Sequence, residues 1–311
     1  MYHPYFRGKQ YELITIRENA ARMAEAGFVP IVEPVRESLG GLDKALKAVC
    51  EAKGKVVVVV NPHYGDHSGG GVSISALLAD GFLDKPGVEA GVLLKNGMSV
   101  EQAMDCFNAH KAHSPTLIHA GFTDGKGLAD ALGADLSVAR HVFIDEHSSK
   151  LYRRHFKDAE RILVKDGFER RKNREHPDVE FFSDLHITYA DDGMNGFGDF
   201  LTVGDDYSEG GGPAYAIAIH LTFIDPGADD AMFIYHFKSD RMDTPTDPAG
   251  KFAEALRKLV KAVDAPDSKI YPTDAVAEFK DLQAAGHFPG LGYVKKLSMQ
   301  HHIETMARYF A

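Results

Sequence analysis

The chain has 311 residues, 44% hydrophobic and 26% charged, a balance that excludes a disordered, fibrous or low-complexity protein. Against 35 Lys and Arg stand 45 Asp and Glu, and the net charge of −10 disfavours non-specific contact with nucleic-acid phosphates. Two cysteines, Cys50 and Cys106, exclude a disulfide framework and fit a reducing, cytoplasmic setting. Residues 1–13 carry no long apolar core and no small-residue cleavage site, so no signal peptide is expected. The longest strongly apolar run, 56–60, is far too short to span a bilayer, and no membrane contact is expected.

The first 205 residues alternate short β-branched or aromatic runs with stretches of helical periodicity. Strands are expected at 2–7, 28–35, 55–61, 89–95, 116–121, 141–146, 161–166 and 199–205. Between them, 10–26 places Leu13, Ile16, Ala20 and Met23 on one helical stripe, and 42–52 follows a Gly-Gly pair. Helix 99–110 opens on a serine cap with a glutamate two residues on; 125–132 and 148–156 are shorter helices. The seventh unit is irregular. Residues 167–198 run through Glu169-Arg170-Arg171-Lys172-Asn173-Arg174, the run 181–189 and a Gly/Asp-rich loop.

After the eighth strand come Glu209-Gly210-Gly211-Gly212-Pro213 and two strongly β runs, 215–224 and 232–238. The short Pro-Gly loop joining them, 225–230, reads as a hairpin turn. An amphipathic helix at 250–263 and a helical stretch at 293–310 complete the chain. The strand runs are apolar on both faces, as in a parallel sheet covered by helices. Eight such units predict a TIM-type (β/α)8 barrel. The runner-up, a doubly wound open sheet, lacks the Gly-x-Gly-x-x-Gly that would follow its first strand. One domain is expected over 1–311, with 207–311 as a hairpin and helical decoration.

The segment Tyr5-Phe6-Arg7-Gly8-Lys9-Gln10-Tyr11-Glu12-Leu13, followed by Val29-Pro30-Ile31-Val32-Glu33, resembles the phage-type beta-protein family. So do Gly198-Asp199-Phe200 before the hairpin and the late Gln300-His301-His302-Ile303. The match is closest to a bacterial branch that shares this opening and Phe182-Ser183-Asp184-Leu185-His186. The resemblance covers most of the chain through short motifs. It implies a TIM-barrel-like fold and a setting in bacteria and phages, near nuclease-like genes, which points to conflict or defence. It carries no activity and no catalytic residues.

Active sites of parallel barrels lie at the carboxyl ends of the strands. There stand Arg7 and Lys9, Glu33, Asn61 and His63, Lys95, His119, Asp145 and Glu146, Lys165 and Asp166, and Asp199. Glu33, His119 and Asp145 lie within or at the last step of an apolar run, where an ionised group needs a partner. Lys95 and Lys165 are the expected partners. Two chemistries suit this rim. Glu33, His63, His119, Asp145 and Asp166 form a mixed set for a divalent metal that activates water, with His63 and His119 as its nitrogen ligands. Alternatively Lys95 or Lys165, desolvated at the mouth, serves as base or Schiff-base nucleophile. A rim network of ion pairs without catalysis is the plain reading of the same residues.

Asp184 and His186, two apart, can reach one ligand from a strand or loop; a cap and a surface histidine is the plainer reading. His220 and His236 lie mid-run in the hairpin, and a histidine pair there reads as packing. Gly69-Gly70-Gly71 and Gly210-Gly211-Gly212 could hold phosphate on backbone amides or serve as flexible loops; neither is a Walker motif. The run 170–174 could grip an anion but reads first as a solvated charge run. His301 and Glu304 share a helical face without zincin spacing, and no Gly-x-Ser-x-Gly occurs.

These readings converge on a hydrolase-type barrel enzyme, metal-assisted in its first form, acting on a small anionic or phosphorylated ligand. Glu33, Asp145 and Asp166 would be its acid/base residues, with Lys95 and Lys165 meeting substrate charge. Arg7, Lys9, Asn61, Asp184, His186 and Asp199 would line the ligand. The rival is a non-catalytic barrel that partners or regulates a nuclease-like protein. A nuclease itself is disfavoured by the negative charge and the absence of a nuclease motif.

Overall fold

A computed structural model describes residues 1–210, 212 and 214–311. Strand β1 (Tyr5–Phe6) leads to α1 (Gln10–Glu18) and α2 (Ala20–Glu25), β2 (Ile31–Val32) to α3 (Gly40–Glu51), and β3 (Val56–Val59) to α4 (Val72–Gly81). β4 (Val88–Lys95) leads to α5 (Val100–Ala109), β5 (Thr116–Ala120) to α6 (Gly125–Leu132), and β6 (Arg140–Ile144) to α7 (Lys150–Arg153). β7 (Glu160–Val164), β8 (Val179–Ser183), α8 (Leu185–Thr188) and β9 (Gly196–Gly198) follow. The last third holds β10 (Ala218–Asp225), β11 (Ala231–Lys238), α9 (Pro248–Val263), α10 (Asp274–Ala285) and α11 (Leu291–Tyr309).

The eight-stranded sheet runs β1-β2-β3-β4-β5-β6-β7-β9, parallel throughout. It closes on itself: the His3 amide donates to the Phe197 carbonyl at 2.7 Å, and the Tyr5 amide to the Asp199 carbonyl at 2.8 Å. The fold is therefore the expected (β/α)8 barrel. Tyr5, Ile31, Val57, Val59, Leu93, Ile118, Val142, Ile144, Ile162, Val164 and Phe200 fill its interior.

The eighth barrel strand is Gly196–Gly198, earlier than the expected 199–205. A Cβ on Gly198 would collide with the His3 carbonyl, and one on Gly196 would crowd the Met1 carbonyl and Ile162. The closing strand must be glycine-rich to approach the first, and glycine hides it from β propensity. The expected helix 10–26 is two helices, parted at Asn19, whose side chain donates to the Thr15 carbonyl at 2.9 Å. Ser99 caps α5 as expected, and Gln102 completes the capping box. Residues 148–156 give only the short α7 followed by a 3₁₀ turn, Arg154–Phe156.

The chain divides into two compact units. One, Met1–Asp166 with Thr188–Phe200, is the barrel. The other, Gly167–Ile187 with Leu201–Ala311, holds an antiparallel sheet in the order β10-β11-β8. The hairpin was expected; β8, taken from the irregular seventh unit, is its third strand. Ile219, Leu221 and Phe237 of the sheet pack against Phe252, Leu256, Phe279 and Leu297 of α9, α10 and α11 in a separate core. Among the described residues no helix is long and apolar enough to cross a membrane.

Candidate functional site

Side chains alternate along a strand, so the interior residues fix which rim groups face inward. Two steps beyond Tyr5, Ile31, Val59, Leu93 and Val164 lie Arg7, Glu33, Asn61, Lys95 and Asp166, on the lumenal face at the carboxyl end. His119, Asp145, Lys165 and Asp199 are each one step out of phase and fall on the outer face. The expected ring thus separates into an inner and an outer set.

At the centre of the inner set is Glu33, fully buried. One carboxylate oxygen accepts from Arg7 and, at 3.0 Å, from the Tyr5 hydroxyl. The other accepts from the His63 amide at 2.7 Å and the Tyr64 amide at 3.3 Å. The Arg7 guanidinium, 8% exposed as a residue, lies 4.8 to 5.3 Å from the rings of Tyr5, Tyr64 and Phe200. Burial opposes the Arg7 charge, but Tyr5 and Glu33 outweigh it and raise its pKa. Burial and the Glu33 charge push the Tyr5 hydroxyl far up. The partner of Glu33 is therefore an arginine six residues from the start of the chain, where a lysine was expected.

Asn61 continues the β3–β4 ladder: its amide donates to the Leu93 carbonyl at 2.9 Å and accepts from the Leu93 amide at 2.7 Å. Lys95, half-buried, places its ammonium 3.4 Å from the Asn61 and Pro62 carbonyls. Among the described residues no carboxylate lies within ion-pair distance of Lys95. The His63 side chain is exposed at this rim, with its ring 4.7 Å from that of Tyr64. Asp166 and Lys9 are half-buried.

The outer set is engaged elsewhere. His119, 1% exposed, bonds the Tyr152 hydroxyl at 2.6 Å and His141 at 2.9 Å, and stacks on Phe143. Burial drives its pKa far down, and burial takes His141 to about 4. Asp145 pairs with the buried Arg153 at 2.8 Å, and Asp199 accepts from the Tyr2 hydroxyl at 2.7 Å. Lys165 is exposed. The expected lysine partners of His119 and Asp145 are thus a tyrosine with a histidine and an arginine. In the second unit, His186 bonds the Asp230 carbonyl at 2.9 Å and meets the Tyr309 ring, while Asp184 is half-buried.

Sequence reasoning passed over three residues at the mouth. Tyr5 and Tyr64 frame Arg7, and Glu12 is buried in the first turn of α1. Burial raises the Glu12 pKa although the Arg7 and Lys9 amides bond it. Tyr5 and Glu12 fall in an expected strand and helix and Tyr64 just beyond an expected strand, and only the folded chain brings them to the rim.

The expected metal ring does not assemble. Glu33 is saturated by four donors, His119 faces the helix layer, and Asp145 is spent on Arg153. Among the described residues, one group of three or more His, Cys, Asp or Glu gathers its ligand atoms, His176, His220 and His236 of the second unit.

The remaining motifs have structural work. Gly71 lies against the Val60 carbonyl, where a Cβ would collide. Gly211, in the second glycine cluster, lies outside the described residues. Arg170 pairs with Asp206 at the surface, whereas Arg171 pairs with the half-buried Glu180. His301 bonds Thr273 at 2.7 Å and the Thr222 carbonyl at 2.8 Å, and Glu304 accepts the Ala275 amide at 3.1 Å. This stretch therefore ties the amino terminus of α10 to β10.

No family model, curated protein or solved structure matches the chain.

Proposed function

We propose that the protein is a barrel enzyme of hydrolase type that takes a small anionic or phosphorylated ligand at the carboxyl mouth. One observation carries this reading: Lys95 is a half-buried, inward-facing cation at the mouth with no carboxylate beside it. A charge held there at the cost of desolvation is a ready partner for an anion. Lys95 meets the ligand charge, Arg7 adds positive potential beneath it, and Asp166 or the exposed His63 accepts the proton of the attacking water. Glu33 orders the floor through its four donors. Among the described residues no ligand set at the mouth supports metal assistance.

The short motifs at Tyr5–Leu13, Val29–Glu33 and Phe182–His186 support placing the chain with the phage-type beta-protein family, and with it a cytoplasmic role in phage-related conflict. The two free cysteines accord with that compartment. The test is calorimetric titration with inorganic phosphate, joined to turnover of nitrophenyl phosphate and carboxylate esters. Wild type should bind phosphate and turn over one ester class. Lys95→Ala should lose at least tenfold in both while melting as wild type does. Equal binding and turnover by Lys95→Ala would remove the mouth as the site, and an absence of turnover by wild type would favour the non-catalytic partner reading.

A further inference from the structure

His220 and His236 are direct cross-strand partners on β10 and β11. Alternation with Leu221 and Phe237 of the helix-packed core puts both on the opposite face of that sheet. Their Nδ1 atoms are 2.7 Å apart. His176, in the turn before β8, stacks on His236 with ring centroids 4.2 Å apart, and its ring lies 5.3 Å from that of His220. One ring nitrogen from each of the three lies within 4.8 Å of the others. Phe168 packs against all three rings, at centroid distances of 5.0 to 6.2 Å.

The orientation of the rings is the informative part. Glu180 of β8 takes the Nε2 side of His236 at 2.9 Å and the Nδ1 side of His176 at 3.4 Å. Arg171 fixes that carboxylate through both oxygens at 2.7 Å. A carboxylate that accepts a ring N–H selects the tautomer whose other nitrogen is a bare acceptor. In His236 the nitrogen so bared is the Nδ1 that faces His220, and in His176 it is the Nε2, on the ring edge away from Glu180. Each of these two rings thereby keeps one acceptor nitrogen, beside a third imidazole and under the Phe168 ring.

We propose that His176, His220 and His236 bind one first-row divalent transition ion of the zinc class, with Glu180 as the positioning residue for two of the rings. Three neutral imidazoles suit zinc or its neighbours in preference to magnesium or calcium, which take oxygen ligands. Three protein ligands leave a fourth position, and His220, the half-buried member, is the open side. Burial lowers the pKa of each ring, and takes His236 to about 4, so the ligands are in the neutral form that metal binding needs. This inference is independent of the reading of the barrel mouth.

The test is a cobalt(II) titration of the full chain after chelator treatment, followed by zinc competition. Wild type should bind one equivalent and show the visible bands of four-coordinate cobalt, which zinc abolishes. His220→Gln, at the half-buried position, should lose the bands while His110→Gln, in the barrel unit, keeps them. Glu180→Gln should weaken cobalt binding by about 10- to 100-fold with the same stoichiometry. This second variant decides the matter should His220→Gln fail to fold. An absence of bands in wild type, or equal binding by wild type, His220→Gln and Glu180→Gln, would overturn the site.

Discussion

The barrel mouth and the histidine face of the three-stranded sheet both bury polar side chains, but they satisfy them in opposite ways. At the mouth, charge meets charge: Glu33 is closed off by Arg7, Tyr5 and two backbone amides, and among the described residues the inward-facing Lys95 has no carboxylate within ion-pair distance. On the sheet, the carboxylate of Glu180 stands outside the group and turns neutral rings toward one another. A saturated acid builds a floor, whereas a carboxylate behind two imidazoles builds a ligand set. A census of chemistry-bearing residues at the rim cannot separate these, because function follows from which atoms remain after the partners are counted.

The comparison can be broken most forcefully at Glu33. Glu33→Gln strips the buried Arg7 of its countercharge, and urea unfolding at neutral pH should show a loss of about 3–5 kcal/mol. A loss below about 1 kcal/mol would mean that the mouth is not held by this pair. Acidification should act next, and on the histidines. His141 and His236 fall to about 4 through burial, from an ordinary value near 6.5. The unfolded chain then binds more protons between those limits. Stability is complete above pH 6.5 and declines as the pH drops toward 4, by about 1.4 kcal/mol per unit for each such histidine. Around His236 the charged neighbours are Glu180, Arg171 and Lys238, with Lys295 toward His220. A flat melting temperature across that window would contradict the neutral-imidazole picture. The smallest effect belongs to Lys95. Lys95→Ala should change stability by no more than about 0.5 kcal/mol, since no carboxylate depends on it. A larger loss would make Lys95 part of the floor along with Glu33.

The barrel was legible because each strand is apolar on both faces and each is followed by a helical pattern, and those signals are local. What escaped was set by tertiary approach. β9 is hidden by the glycines that let it close on the first strand, and β8 is recognisable as a strand only beside β11. The rim residues were found by position, and five of them do face inward. Their partners were not, since Arg7 reaches Glu33 and Arg153 reaches Asp145 only through the fold. His220 and His236 were visible as a histidine pair in the hairpin, read as packing. His176 and Glu180, which turn that pair into a ligand set, sit in an irregular segment without periodicity, and no Cys-x-x-Cys or His-x-x-x-His spacing marks them.

The most direct test of the contrast is the metal content of the full chain, purified without chelator or affinity metal and measured by mass spectrometry beside two variants. Wild type and the rim variant His63→Ala/Asp166→Asn should each carry one equivalent of a transition ion, and His220→Gln none. Metal lost from the rim variant and kept by His220→Gln would reverse the assignment and return the ligands to the barrel mouth.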